Sequence, residues 1–425
     1  MCFGDAQAFP TSAGCLTDAE DATVPHRGGS MRRPNQTRVR TYRLAALLWA
    51  MVLLAAPVSA EELRIITSYQ ADVVDPMLES FGRSRPDIRI RVLNKNTHAA
   101  VDEVLAGNDR GFDLFWASAP EAFVVLDKAG RLADLGDGPY ADFAWSAVGW
   151  TWRAPRDGPV PQDWNDLLDP AFTQGIAMSH PMRSGTMHSL LETILQDRGW
   201  QAGWAWILEL AGQLNTISAR SFGVLEGVER GDFAIGLTID FLALARDGLV
   251  FRYGRPVILI PARIAALQGG TQPEAAKVFI DFVLSSEGQR ILLRPDIRRI
   301  PVDPEIRAEL SESLDPAIRA ALNFSWSRYD PELAARRYWQ VKQLFEAFVA
   351  RDLLLRRDLW RRLRALDDAP PTERARIRRL LTWMPLTEHQ ARSVPTDRET
   401  LLEWSERSHT ILRDAEALIR ALEQP

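Results

Sequence analysis

The chain has 425 residues, 46% of them hydrophobic and 25% charged, the balance of a globular protein long enough for two or three domains. A formal net charge of -5 leaves no electrostatic footprint for nucleic acid, so no nucleic-acid partner is expected. Both cysteines, Cys2 and Cys15, precede the first predicted element, which excludes disulfide and thiol chemistry from the folded part.

Residues 32–43 carry Arg32, Arg33, Arg38, Arg40 and Arg43 and no acid. Leu44 to Ala56 is apolar but short for a bilayer span, and Pro57-Val58-Ser59-Ala60 supplies small residues at a cleavage site. This reads as a secretory signal cut after Ala60, within a leader over 1–60 whose first 30 residues, ahead of Met31, show no pattern and are expected not to be translated. A periplasmic location follows from that signal.

Glu62 to Thr67 is the first predicted strand, ending at Ser68 and Tyr69. A helix over Asp75–Arg83, a strand over Ile88–Leu93, a helix over Ala99–Leu105, a buried strand over Phe112–Trp116 ending near Ser118, and a helix over Ala119–Ala129 come next. Strands alternating with helices predict a parallel α/β sheet, with ligand beyond the carboxyl ends of the strands.

A second α/β set follows, with strands at Gly149–Trp152, Ile176–Ser179, Asn215–Ser218 and Ala234–Thr238, and a return strand over Phe251–Ile260. Two of these strands feed similar clusters: Arg183-Ser184-Gly185-Thr186 and Arg220-Ser221. The first opens a helix, where unpaired backbone N–H groups and the helix dipole favour an anion, and the second precedes a helix over Val224–Arg230. Arginine meets two phosphate oxygens in one plane, hydroxyls fill the other directions, and Gly185 lets the backbone come close. Asp240, after the last strand of the set, has two readings: it receives a ligand hydroxyl or holds an arginine, or it is a structural cap.

The stretch PARIAALQGGTQPEAAKVFIDFVLSSEGQRIL (Pro261–Leu292), together with FDLFWASAPEAF (Phe112–Phe123) and the two arginine clusters, resembles bacterial extracellular solute-binding proteins of ABC transporters. It is similar to the type II periplasmic binding proteins of the iron/polyamine/phosphonate branch, and more particularly to the phosphoglycerate transport regulatory protein subgroup. The resemblance implies two α/β lobes joined by crossing strands near Val148–Arg153 and Arg246–Arg255, with ligand held between them. Lobe one is expected over about 62–149 and 254–305, and lobe two over about 150–250. Ser68, Tyr69 and Ser118 would face the cleft from lobe one, and Arg183, Ser184, Gly185, Thr186, Arg220, Ser221 and Asp240 from lobe two. The implied partners are a small anionic, phosphoglycerate-like ligand and either an ABC permease or a membrane sensor kinase. A monomer is expected, without cofactor or metal.

Ferric binding is the main alternative, yet iron-binding relatives use adjacent tyrosines, and Tyr69, Tyr140, Tyr253, Tyr329 and Tyr338 are never adjacent. His180 and His188 are expected to be one packing or capping histidine and one exposed. The spacing of Ser184 and His188, four residues apart, imitates a hydrolase dyad, but no third orienting residue is visible and no nucleophile elbow, Gly-rich Lys loop or zinc spacing occurs. No enzyme is expected; a phosphoester hydrolase is the remaining rival. Beyond residue 305 the pattern predicts an antiparallel helical extension over 306–425, with helices at Pro331–Leu366, Thr372–Trp383 and Thr396–Leu422.

Overall fold

Two long antiparallel strands, β5 (Ala141–Arg153) and β9 (Leu249–Leu267), run through the middle of a ten-stranded sheet and divide it into two halves. The structure is a computed structural model that describes residues 61–424 except 135, 137, 310, 311, 313 and 324. The predicted signal, its cleavage site and both cysteines lie outside the described residues.

In chain order, β1 is Glu61–Thr67, α1 Ala71–Ser84, β2 Ile88–Asn94, α2 Thr97–Leu105, β3 Leu114–Ala117, α3 Pro120–Lys128 and β4 Leu132–Ala133. After β5 come β6 (Ile176–Ser179), α4 (Gly185–Arg198), α5 (Trp200–Ala211), β7 (Leu214–Ser218), α6 (Ser221–Arg230), β8 (Ile235–Ile239) and α7 (Asp240–Leu244). The sheet order is β2-β1-β3-β9-β5-β8-β6-β7. Thus β3 pairs with the far end of β9, Arg263–Ala266, while β8 pairs with the far end of β5, Val148–Thr151. Each half of the β5–β9 ribbon therefore belongs to a different lobe.

The crossing point is marked by a register shift. Val148 opposes Ile258 and Gly149 opposes Tyr253. A Cβ on Gly149 would lie 2.1 Å from the Arg252 carbonyl oxygen, so only glycine allows the strands to approach there.

Away from the ribbon the strands pair in parallel; all four residues of β3 and all five of β8 are buried, as in strands covered on both faces, whereas the edge strands β2 and β7 are partly exposed. Leu63, Ile65, Trp116, Phe143 and Phe279 share the core of lobe one, and Trp150, Trp164, Trp204 and Ile235 that of lobe two.

Helix α1 begins four residues before its predicted start, with Pro76 inside it, because Val74, Met77 and Phe81 are buried together. Helix α5 had no predicted counterpart. It is apolar nearly all round, since lobe two covers one side of it and the C-terminal helices the other.

Past α8 (Pro273–Leu284), α9 (Ser286–Ile291), β10 (Ile300–Pro301), α10 (Pro304–Glu309) and α11 (Pro316–Ala321), the extension is helical as expected. The predicted helix over Pro331–Leu366 is broken into α12 (Pro331–Arg336), α13 (Tyr338–Phe345), a π-helical turn (Glu346–Ala350) and α14 (Leu353–Arg364). The first break falls at Arg337, whose guanidinium turns inward to Glu192 of α4 at 2.7 Å. Helices α15 (Pro371–Leu381), α16 (Glu388–Arg392) and α17 (Arg398–Glu423) close the chain. Val341, Leu344, Phe345 and Phe348 join the core of lobe two, while Tyr338 packs with Phe115 and Phe123 of lobe one. The extension therefore straddles both lobes. No helix among the described residues is long and apolar enough to cross a membrane.

Candidate functional site

Strands of both lobes end on the same cleft, and helix starts face it. On lobe one, β1 runs through Ser68-Tyr69-Gln70 into α1, β2 leads to Asn96 and Thr97 at the start of α2, and β3 ends beside Ser118. On lobe two, β6 leads to Arg183, Ser184, Gly185 and Thr186 at the start of α4, and β7 to Arg220, Ser221 and Phe222 at the start of α6. Ile239, Phe241, Leu242 and Val73 supply apolar lining, and the space, open mouth included, is about 610 Å³.

The lining contains two arginines and, among the described residues, no Asp or Glu. Arg183 is exposed and makes no ion pair among the described residues, and Arg220 donates to Asn94 Oδ1 at 2.7 Å rather than to an acid. Helices α1, α2, α4 and α6 all point their N-termini at this space, each with N–H groups and partial positive charge to offer. Asn96 caps α2 through Ala99 N (3.0 Å), and Ser184 caps α4 through Met187 N (3.2 Å). Ser221 Oγ lies 3.2 Å from Ser184 Oγ and 3.1 Å from Ser179 Oγ, so the two arginine clusters, 37 residues apart in sequence, meet through their hydroxyls.

The lobes touch across the cleft. A Cβ on Gly185 would lie 2.6 Å from Ala119 Cβ and 3.2 Å from Thr97 Oγ1, both on lobe one. The Arg220–Asn94 hydrogen bond also spans the lobes.

On the lobe-one wall, Tyr69 Oη and Ser118 Oγ are 2.7 Å apart. Behind them lies Arg299, a residue the sequence reading passed over, whose Nη2 donates to Ser118 Oγ at 2.7 Å and to Tyr69 Oη at 3.3 Å. The available signal was the pair Arg298-Arg299 set between two residues that both turn out buried, Ile297 and Ile300, in a segment that pairs with β5 through β10.

Nine of the ten sequence candidates line the cleft; Asp240 does not. Its carboxylate points into the base of the crossing strands, accepting from Ala147 N (2.8 Å), Phe241 N (2.7 Å) and Tyr253 Oη (3.1 Å). Its role is structural, because these three donors occupy the carboxylate, but it ties the crossing strands to the start of α7 rather than capping that helix, whose N-cap is Ile239. Burial pushes the Asp240 carboxyl up to about 7, against the pull of those donors and of Arg299. Since the unfolded value is about 3.9, the folded state holds the proton more tightly, and the stability this confers is lost as pH rises through 7. The unliganded melting temperature is thus expected to fall from pH 5 to pH 8, and Asp240→Asn to flatten that fall; an equally steep profile in the variant would assign the dependence to another group.

One histidine packs as expected, and the other, expected to be exposed, is partly buried and paired. His188 is fully buried, with Nδ1 2.8 Å from Glu121 Oε1 and its ring edge-on to Tyr338. His180 Nε2 donates to Glu346 of the extension at 2.8 Å. An orienting carboxylate for His188 therefore exists, but His188 Nε2 has no hydrogen-bond partner and Ser184 Oγ bonds elsewhere, so the hydrolase-like pair is not formed.

Fold and cleft together define a two-lobed solute receptor. The chain belongs to the bacterial extracellular solute-binding protein family, whose model matches residues 64–294. It is 29% identical over 349 residues to the phosphoglycerate transport regulatory protein PgtC of Salmonella typhimurium, covering 77% of this chain and 86% of that protein. Among solved structures, the periplasmic binding protein AfuA from Actinobacillus pleuropneumoniae, with fructose-6-phosphate bound, superposes with a TM-score of 0.61 at 16% identity, over 68% of this chain and 99% of that one. The ferric binding protein from Campylobacter jejuni gives 0.56 at 14% identity, over 70% and 99%.

Proposed function

We propose that this protein, exported to the periplasm, captures a small phosphorylated organic anion of the phosphoglycerate kind between its lobes. It then delivers that ligand to an ABC permease or presents it to a membrane sensor kinase. The observation that carries this reading is the cleft itself: two arginines, four helix N-termini and at least five hydroxyls, with neither a carboxylate partner for the arginines nor an acid in the lining among the described residues. The PgtC relationship and the sugar-phosphate ligand of AfuA support the same class. We take lobe one as about 62–149 with 254–305, lobe two as about 150–250, and 306–425 as the extension.

Ferric-binding proteins share the fold, which makes iron the second reading. Against it, Tyr69 is the one phenol in the lining, and no cluster of three or more His, Cys, Asp or Glu suited to a metal occurs among the described residues. A hydrolase reading lacks the Ser184–His188 hydrogen bond it requires.

Thermal melting in the presence of 3-phosphoglycerate, phosphoenolpyruvate, 2-aminoethylphosphonate, phosphate, sulfate, citrate and ferric salts tests the choice. A true ligand at about 100 times its dissociation constant stabilises by ~2.7 kcal/mol. A shift with ferric salts alone would overturn the anion reading, and release of inorganic phosphate from the esters would favour the hydrolase.

A further inference from the structure

Arg299 is a buried charge that the anion reading of the cleft does not by itself explain. Only 2% of it is exposed, its guanidinium sits 4.2 Å from the Phe241 ring centre and 4.5 Å from that of Tyr69, and no carboxylate lies within ion-pair distance among the described residues. Its Nε has no acceptor, and Asp240, the acid whose field it feels, is already committed to three other donors. A cation taken out of water without a paired anion is costly unless something else supplies the negative charge.

Counting protons on the Tyr69–Ser118 pair shows where that charge fits. Each hydroxyl has one proton to give and two lone pairs to receive with. Arg299 Nη2 fills an acceptor position on both, and one of the two donates to the other across 2.7 Å. One hydroxyl proton is left, and both residues line the cleft. One lone pair is left as well, and the full positive charge of Arg299 behind the pair is what favours an anionic acceptor over a donor on the cleft side. This wall also carries Ser68, Gln70, Asn96 and Thr97 but, among the described residues, no cationic side chain in the lining. The opposite wall offers Arg183, Arg220, Ser184, Thr186 and Ser221, which suit a group with three oxygens.

We propose that Arg299 makes Tyr69 and Ser118 a second anionic subsite, so that the preferred ligand carries two separated anionic groups, a phosphate toward Arg183 and Arg220 and a carboxylate toward Tyr69 and Ser118. This rests on the anion reading of the cleft and narrows it. Arg299 acts through the two hydroxyls and is a positioning residue.

Calorimetric titration with 3-phosphoglycerate and with glycerol 3-phosphate, which lacks the carboxylate, tests it. The unaltered protein is expected to favour 3-phosphoglycerate by roughly tenfold or more, the worth of one charge-assisted hydrogen bond. Arg299→Met, of similar length and able to fill the aromatic cage, should abolish that preference while leaving glycerol 3-phosphate affinity within about twofold. Tyr69→Phe and Ser118→Ala should each reduce the preference, and they carry the test if the methionine variant does not fold. Equal weakening of both ligands, or a preference that survives all three substitutions, would overturn the second subsite and leave the anion site standing. Failure of the unaltered protein to bind either ester would remove both.

Discussion

Replacing Arg183 and Arg220 together by alanine is expected to raise the dissociation constant for the anionic ligand by roughly two to four powers of ten. A charge-assisted hydrogen bond contributes about 1.5–3 kcal/mol net, and the two guanidinium groups are the cationic side chains that line the cleft. Folding should be nearly untouched. Arg183 is exposed and unpaired, and Arg220 gives up one hydrogen bond to a neutral amide. The check is calorimetric titration beside thermal melting: affinity collapses while the unliganded melting temperature holds. A parallel drop in melting temperature would mean that the arginines serve the fold. The single variants differ in an informative way, because Arg220→Ala also removes a lobe-to-lobe contact and Arg183→Ala does not.

Glu121→Ala is expected to have the largest effect on stability. Glu121 on α3 of lobe one is fully buried and accepts from His188 Nδ1 (2.8 Å) and Ser189 Oγ (3.1 Å) on α4 of lobe two and from Tyr329 Oη (2.6 Å) at the head of the extension. Burial works against its charge, but the His188 and Tyr329 hydrogen bonds outweigh burial and hold the carboxyl below its ordinary range. Removing the acceptor strands three buried donors, a loss of roughly 3–5 kcal/mol. Because the carboxylate joins the two lobes and the extension at one point, the loss should also favour the open cleft and weaken ligand binding. Thermal melting together with titration of the same ligand checks both effects. A normal melting temperature would show that the node adds nothing to the junction. Glu121→Gln should recover part of the loss, since its carbonyl can still accept from Tyr329 and Ser189. For the unaltered protein the sign with pH is fixed. A depressed folded value confers stability that is present above about pH 4.3 and lost as the pH falls through the folded value.

The same node changes the meaning of the C-terminal helices. Gln196 Nε2 bonds to the Asp330 carbonyl (3.1 Å), Trp200 Nε1 to the Leu386 carbonyl (2.8 Å), Arg337 to Glu192, and His180, three residues before Arg183, to Glu346. The extension touches the loop that carries the cleft arginine and both lobes beside it. Opening of the cleft therefore has to rearrange contacts with the extension as well as with the ligand, which offers a route by which a partner docked on those helices could read the bound state.

Much of the site was legible because its parts are local. A hydroxyl or amide beside a helix start announces itself over four residues, and strand–helix alternation places those starts at one edge of a parallel sheet. Ser68, Tyr69, Ser118, Arg183, Ser184, Gly185, Thr186, Arg220 and Ser221 were found this way. Asp240 carries the same local signal, a polar residue where a strand gives way to a helix. The tertiary structure alone sends its carboxylate backward to Ala147 and Tyr253, because the crossing strands present an unpaired N–H and a phenol there. The local signal at Arg299, a charge beside buried isoleucines, does not say what it faces, since its partners lie 181 and 230 residues away. The break at Arg337 was hidden for the same reason, as the acid that turns it inward lies 145 residues earlier.

Periodicity and end-capping, which act over a few residues, sufficed to determine the alternating strands and helices, the positively charged cleft edges and the helical C-terminus. Packing between distant segments decided that Asp240 faces away from the cleft, that a buried arginine stands behind Tyr69 and Ser118, and that the last helices clasp both lobes. The physical reason is that a buried charge is settled by whichever partner the fold brings within about 3 Å, and nothing in the neighbouring sequence records who that partner will be.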